Sequence, residues 1–148
     1  MVLISYLNFE GNTEEVIDFY EKALDGTEIK KFKFKDFPQN PNNLIPEKEL
    51  DLIMNASMKF ADGIIMFSDL LPSMKEMAGN FIVGNNMSLA IVIKDKSKIE
   101  KYFNGLSVGG TVTMPLTETP WSESFGMLVD KFGVSWQLNC TTDDYYYS

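Results

Sequence analysis

Arginine and histidine are both missing from this 148-residue chain; all 13 of its basic residues are lysines. Without a guanidinium there is no planar fork to grip a carboxylate or phosphate through paired hydrogen bonds. Without an imidazole there is no ordinary general base near neutral pH and no nitrogen ring to hold a transition metal. Ser–His–Asp, Cys–His and two-histidine metal sites are therefore excluded within one chain. Cysteine occurs once, as Cys140, so no disulfide forms inside the chain and a reducing, cytoplasmic setting is expected. With no histidine beside it to draw off its proton, that thiol is expected to be passive.

Long apolar runs are absent too. None approaches the roughly 20 residues that cross a bilayer, and the opening MVLISYLNFEGN has no basic flank, so it is expected to be a strand and not a signal peptide. Cations are outnumbered by 21 acidic residues, giving a net charge of −8, which disfavours nucleic acid as a partner. Lys30, Lys31, Lys33 and Lys35 come nearest to a basic cluster, and alternation lays three of them along one solvated edge.

What is present is a repetition. Residues 3–26 (LISYLNFEGNTEEVIDFYEKALDG) run from an alternating apolar stretch through an amphipathic helix to a glycine turn, and residues 87–110 (MSLAIVIKDKSKIEKYFNGLSVGG) keep that order. FADGIIMFSD at 60–69 and DKFGVSWQLN at 130–139 close the two halves alike, each leading through Asp and Gly into a last apolar strand. A period of roughly 80 residues is too long for a solenoid and suits two fused copies of a small βαβββ module. The expected organisation is a single domain with module one at about 1–70, a linker at 71–85 and module two at about 86–142. A cleft between the halves is where a ligand would be sought.

Within module one, Leu3–Phe9 alternates as a strand, and Asn12 or Thr13 is placed to cap a helix with Val16, Phe19, Tyr20, Ala23 and Leu24 on its apolar side. Asp25-Gly26 stops that helix. Residues 28–35 predict a strand with Ile29, Phe32 and Phe34 as its apolar members and a slip near Lys31. Pro38, Pro41 and Pro46 make 36–50 a loop. Asp62-Gly63 predicts a tight turn between strands at 50–60 and 64–69. In module two a strand at 87–94 leads to a helix at 96–106, capped by Asp95 or Ser97. Strands at about 111–116, 125–130 and 134–140 follow, with TETPWSES as a loop between the first two. The tail, 141–148, has no periodicity.

The stretches YLNFEGNTEEVIDFYEKALDG and GGTVTMPLTETPWSESFGMLVDKFGVSWQLN, in this two-module order, resemble the PhnB-like branch of the vicinal-oxygen-chelate superfamily. Glyoxalase I, the fosfomycin- and bleomycin-resistance proteins and the extradiol dioxygenases share that superfamily. The resemblance covers nearly the whole chain. It implies an α+β fold of two tandem βαβββ modules, whose curved mixed sheets surround an open barrel cleft, and a homodimer. A ubiquinone-pathway methyltransferase role is sometimes attached to this branch, but no glycine-rich nucleotide-binding turn follows the first strand here.

Catalytic relatives hold a divalent metal on the first and last strands of each module. Laid on that pattern, the positions fall at Ser5, Phe67, Ser88 and Gln137, a set unable to hold zinc, nickel or manganese. The metal site is therefore expected to be vacated, and no cofactor and no catalytic residue is expected. The same placement aims aromatic, methionine and amide side chains at the cleft. Tyr6, Asn8, Phe67, Ser88, Met114, Trp121, Phe125, Trp136 and Gln137 are the expected ligand-binding residues, with Met66, Met87, Met127, Ser68 and Asn139 as further candidates. Glu10, Asp69, Glu118 and Asp130 end strands or begin turns; turn chemistry is expected of them, an all-oxygen cation site being the alternative. The expected function is metal-independent binding of a small, partly apolar organic ligand. Two alternatives stay open: a divalent-metal lyase or oxidoreductase of the vicinal-oxygen-chelate type with ligands elsewhere, and an interaction module without a ligand.

Overall fold

The protein, described here from a computed structural model of residues 1–147, divides by its internal contacts into a unit Met1–Ile82 and a unit beginning at Val83. Each unit is one sheet with a helix on it. In the first, β1 (Ser5–Phe9), α1 (Thr13–Leu24), β2 (Thr27–Lys33), β3 (Ile53–Phe60) and β4 (Gly63–Asp69) form a four-stranded sheet of order β1-β4-β3-β2. A one-turn helix, α2 (Lys75–Ala78), ends this unit. In the second, β5 (Leu89–Ile93), α3 (Lys96–Ser107), β6 (Thr111–Thr119), β7 (Ser122–Val129) and β8 (Ser135–Cys140) repeat that arrangement as β5-β8-β7-β6. The first and last strands of each unit run parallel, the other pairs antiparallel. Both sheets are therefore mixed and open-edged, and the fold is α+β as the resemblance implied.

The parallel pairing follows from the helix that separates the first two strands: such a crossover brings the chain back across one face of the sheet. Side chains alternate across a strand, so each sheet has one face under its helix and one turned away. In the first unit, Phe9, Ile65, Phe67, Ala56 and Met58 lie on the helix side and are buried against Val16, Ile17, Tyr20 and Leu24 of α1. Ile17 takes a core place that the sequence pattern gave to Phe19, which is only half-buried. In the second unit, Ile91, Leu128, Trp136 and Leu138 are buried with Ile99, Tyr102, Phe103 and Leu106 of α3. Gly126 allows that approach: a Cβ there would stand 2.8 Å from Phe103 and 2.9 Å from Leu116.

Several local expectations change. Asp25, at φ 54°, is the left-handed residue that ends α1, while Gly26 is required for space, since a Cβ there would lie 2.2 Å from Met58 Sδ. The β3–β4 turn is Ala61-Asp62 and not Asp62-Gly63: Phe60 pairs with Gly63, and Ala61 takes φ 50°. TETPWSES is not a loop. β6 and β7 run up to a two-residue turn at Pro120-Trp121, with Thr119 opposite Ser122. On β2, Phe32 is exposed and Lys31 and Lys33 turn toward α1, because irregularities in register flank the segment Lys30–Phe32. Those two lysines pair with Glu14 and Asp18 of the helix, and Lys35 pairs with Asp51, so three of the four lysines of the basic cluster have carboxylate partners. The 36–50 segment is irregular apart from short 3₁₀ turns at Phe34–Asp36 and Glu47–Glu49. The tail forms a 3₁₀ turn at Asp144–Tyr146, tied back by Tyr147, whose hydroxyl donates to the Thr141 carbonyl; Ser148 lies outside the described residues.

Candidate functional site

The helix-free faces are the surfaces on which the two sheets offer chemistry. On the first, alternation and register bring together Tyr6, Asn8, Asn55, Ser57, Met66 and Ser68. Their polar groups are largely spoken for. Ser68 Oγ donates to Asn8 Oδ1 at 2.9 Å, and Asn55 Nδ2 donates to the Tyr6 hydroxyl at 3.1 Å. On the second, Met114, Phe125, Met127, Gln137 and Asn139 share the free face, with Ser88 just ahead of β5. Gln137 Nε2 donates to Ser88 Oγ at 3.0 Å. Phe125 stands opposite Asn139, and Trp121, 61% exposed at the hairpin turn, meets the Phe125 ring edge-on at 6.1 Å between centroids. Asn139 Oδ1 is shielded from solvent and has no hydrogen-bond partner.

Phe67 and Trp136 belong elsewhere and correct the expected set. Phe67 pairs with Leu7 and Ala56 on the helix side, is fully buried and packs against Tyr20 of α1 at 6.1 Å. Trp136 is buried beside Leu128, and its indole Nε1 donates to Asp130 Oδ2 at 2.9 Å. Both are core. Ser5 also falls on the helix side, level with Ile65. The parity was legible: in SYLNF, Ser5 shares its side with Leu7 and buried Phe9, which leaves Tyr6 and Asn8 on the other. Met87 is exposed ahead of β5. The sequence reading missed Asn55 and Glu123, both ordinary polar strand residues whose placement only register reveals.

The strand-end carboxylates divide. Asp130 Oδ1 accepts from the Phe132 and Val134 amides, closing its own β7–β8 turn as expected. Asp69, also buried, works at long range. Its Oδ1 accepts from the Gly11 and Thr13 amides and the Thr13 hydroxyl, and its Oδ2 from the Ile53 amide. One carboxylate thus fastens the start of α1 and the start of β3 to the end of β4. Asn12 makes no capping bond of its own, so Asp69 supplies the acceptor that this helix terminus requires. Cys140 is buried, its thiol pKa raised by desolvation and secondarily by the charge of Glu123, which disfavours the nucleophilic thiolate.

Among the described residues, no three His, Cys, Asp or Glu side chains gather where they could hold a metal ion, so Glu10, Asp69, Glu118 and Asp130 do not assemble the all-oxygen site. The donors on the free faces are neutral amides and hydroxyls, several already bonded to each other, with the Glu123 carboxylate on β7 standing alone among them. They do not fit zinc, nickel or manganese, which call for carboxylate, imidazole or thiolate ligands.

Residues 2–139 match the family described as 3-demethylubiquinone-9 3-methyltransferase, whose solved members include PhnB proteins. The chain belongs to this PhnB-like family. Protein YjdN of Escherichia coli K12 is 28% identical, over 94% of this chain and 95% of its own length. The crystal structure of PA1353 from Pseudomonas aeruginosa superposes with a TM-score of 0.80 at 34% identity, covering 95% of this chain and 98% of that one. The PhnB protein of Bacillus cereus follows at 0.67 and 27%, covering 94% and 98%. A glyoxylase/bleomycin resistance protein/dioxygenase domain from Frankia and the fosfomycin resistance protein FosX of Listeria monocytogenes, the latter complexed with Mn(II), each reach 0.63 at 14% and 9% identity. Those two likenesses establish the fold of this PhnB-like chain and nothing of its chemistry. No helix among the described residues is long and apolar enough to cross a membrane.

Proposed function

We propose that this PhnB-like protein binds a small, partly apolar organic molecule on the helix-free side of its sheets, by burial and hydrogen bonding and without a metal. The observation that carries this reading is Asn139 Oδ1, a shielded acceptor without a partner, set opposite Phe125 on a face shared with Met114 and Met127. An unmade hydrogen bond away from water costs about 1–3 kcal/mol, and a ligand donor removes that cost. Methionine and phenylalanine supply the apolar wall typical of small-molecule sites, where each 100 Å² removed from water contributes about 2.5 kcal/mol.

The test is a thermal-shift screen of chelator-treated protein against small organic molecules of several chemical classes, with hits repeated on Phe125→Ala. At least one class should raise Tm in the intact protein, and the response should be lost in the variant while its circular dichroism stays native. Silence across every class overturns the proposal. So does stoichiometric zinc, nickel, manganese or iron in protein purified without chelator, which would revive the metal-dependent alternative.

A further inference from the structure

The corner made by Trp121, Glu123 and Phe125 has a charge preference, and we propose that the molecule it takes is a small organic cation, a protonated amine carried on an apolar body. This rests on the small-ligand reading above and specifies the class of ligand. Ser122 and Ser124 are buried on the helix side of β7, so alternation puts Glu123 with Phe125 on the free face, one strand position from the turn that holds Trp121. Trp121 is exposed and stands edge-to-face with Phe125, which sets a largely solvent-facing indole next to a second ring. Ring faces carry negative potential and attract cations, tryptophan most strongly. Glu123 is itself exposed and adds a carboxylate to the corner.

The surrounding sheet offers nothing to repel a cation. β5, β6, β7 and β8 together contain no lysine, and the chain has no arginine or histidine, whereas Glu118 and Glu123 both lie on these strands. Lys94 and Lys96, just past β5, are the nearby basic residues: the Lys94 ammonium pairs with Asp144 at 3.4 Å and sits 4.5 Å from the Tyr147 ring centroid, and Lys96 is close enough to Cys140 for its charge to oppose that of Glu123 there. A carboxylate or phosphate ligand would therefore meet the Glu123 carboxylate on a face whose strands carry no cation. An ammonium meets two rings and a carboxylate, and its N–H groups are donors of the kind Asn139 Oδ1 lacks.

Three probes sharing a phenylethyl body separate the cases by isothermal titration calorimetry at low salt: 2-phenylethylammonium, 2-phenylethanol and 3-phenylpropionate. The ammonium should bind about tenfold tighter than the alcohol, and the carboxylate weakest. Glu123→Gln, an exposed and conservative change, should bring the ammonium and alcohol within about threefold of each other. Trp121→Leu should weaken the ammonium more than the alcohol, because it removes ring potential and keeps apolar surface. Equal binding of all three, preference for the carboxylate, or no binding of any probe overturns the cation assignment. If the broad screen still yields ligands with Phe125-dependent responses, the small-ligand reading survives that failure; if it yields none, both fall.

Discussion

The two sheets share one strand order, yet the first completes itself and the second does not. On the first helix-free face, Ser68 bonds Asn8 and Asn55 bonds Tyr6, and the strands beneath carry Lys30, Lys31, Lys33 and Lys59. On the second, methionines and aromatics replace most of that polarity, lysine is absent from every strand, and Asn139 Oδ1 is left unpaired. Both shielded side-chain atoms without partners among the described residues, Thr119 Oγ1 and Asn139 Oδ1, lie in the second unit. The connection between the second and third strands differs just as much. In the first unit it is the proline-bearing stretch from Phe34 to Leu52; in the second it is Pro120-Trp121, which lifts one exposed indole beside Phe125. Duplication supplies two scaffolds of equal topology. One is closed by its own side chains, and the other keeps a face whose hydrogen bonding is unfinished.

The largest expected effect tests which rings are core and which are surface. Phe67→Ala removes a fully buried ring against Tyr20 and should cost about 3–5 kcal/mol of unfolding free energy in urea titrations. Phe125→Ala trims a half-buried ring on the free face and should cost about 1 kcal/mol while abolishing ligand responses. Equal costs would erase the distinction between the helix side and the free side on which the candidate site depends.

Much of this division was legible beforehand. The repeated order of elements gives the two βαβββ units, and the pattern leaves the start of the second helix to Asp95 or Ser97, of which the structure uses Asp95. Turn chemistry is the expectation for Asp130, and its bonds from the Phe132 and Val134 amides agree. What failed was parity and reach. The resemblance aims Phe67 and Trp136 at the cleft, although rings suit cores equally, and only their register against Leu7 and Leu128 decides the side. Asp69 looked like another turn carboxylate, because nothing local signals that its acceptors serve Gly11, Thr13 and Ile53. TETPWSES has the composition of a loop. Its pairing in a hairpin is imposed by the neighbouring strand, through a ladder with irregular register that no simple alternation would reveal.

A second measurement sharpens the contrast between completed and unfinished hydrogen bonding. Asn139→Leu replaces an unpaired acceptor by an apolar group of similar shape and should stabilise the free protein by about 1 kcal/mol. Ser68→Ala deletes a made bond to Asn8 and should destabilise by about 1 kcal/mol. The signs are opposite, and chemical denaturation reads both. Should Asn139→Leu prove destabilising, the amide is satisfied in solution and the second face is no less complete than the first.

The smallest effect concerns how the two helices begin. α1 relies on Asp69, reached across the sheet from the end of β4, whereas α3 carries its own cap. Asp95 Oδ1 accepts from the Ser97 hydroxyl and from the Ser97 and Lys98 amides. The Ser97 hydroxyl bond first, and the Lys98 amide next, hold the Asp95 carboxyl below the usual aspartate range. A depressed folded-state pKa means the cap contributes fully above the unfolded value of about 3.9 and is lost as pH falls through the lower folded value. Hydrogen exchange at the first turn of α3 should therefore accelerate only in acid, below about pH 4. Asn is an equally good cap and does not titrate there, so Asp95→Asn should keep that turn protected through the same range. If the variant frays at the same pH as the native chain, acid acts on α3 through some group other than its own capping residue, and the two helix starts cease to differ in kind.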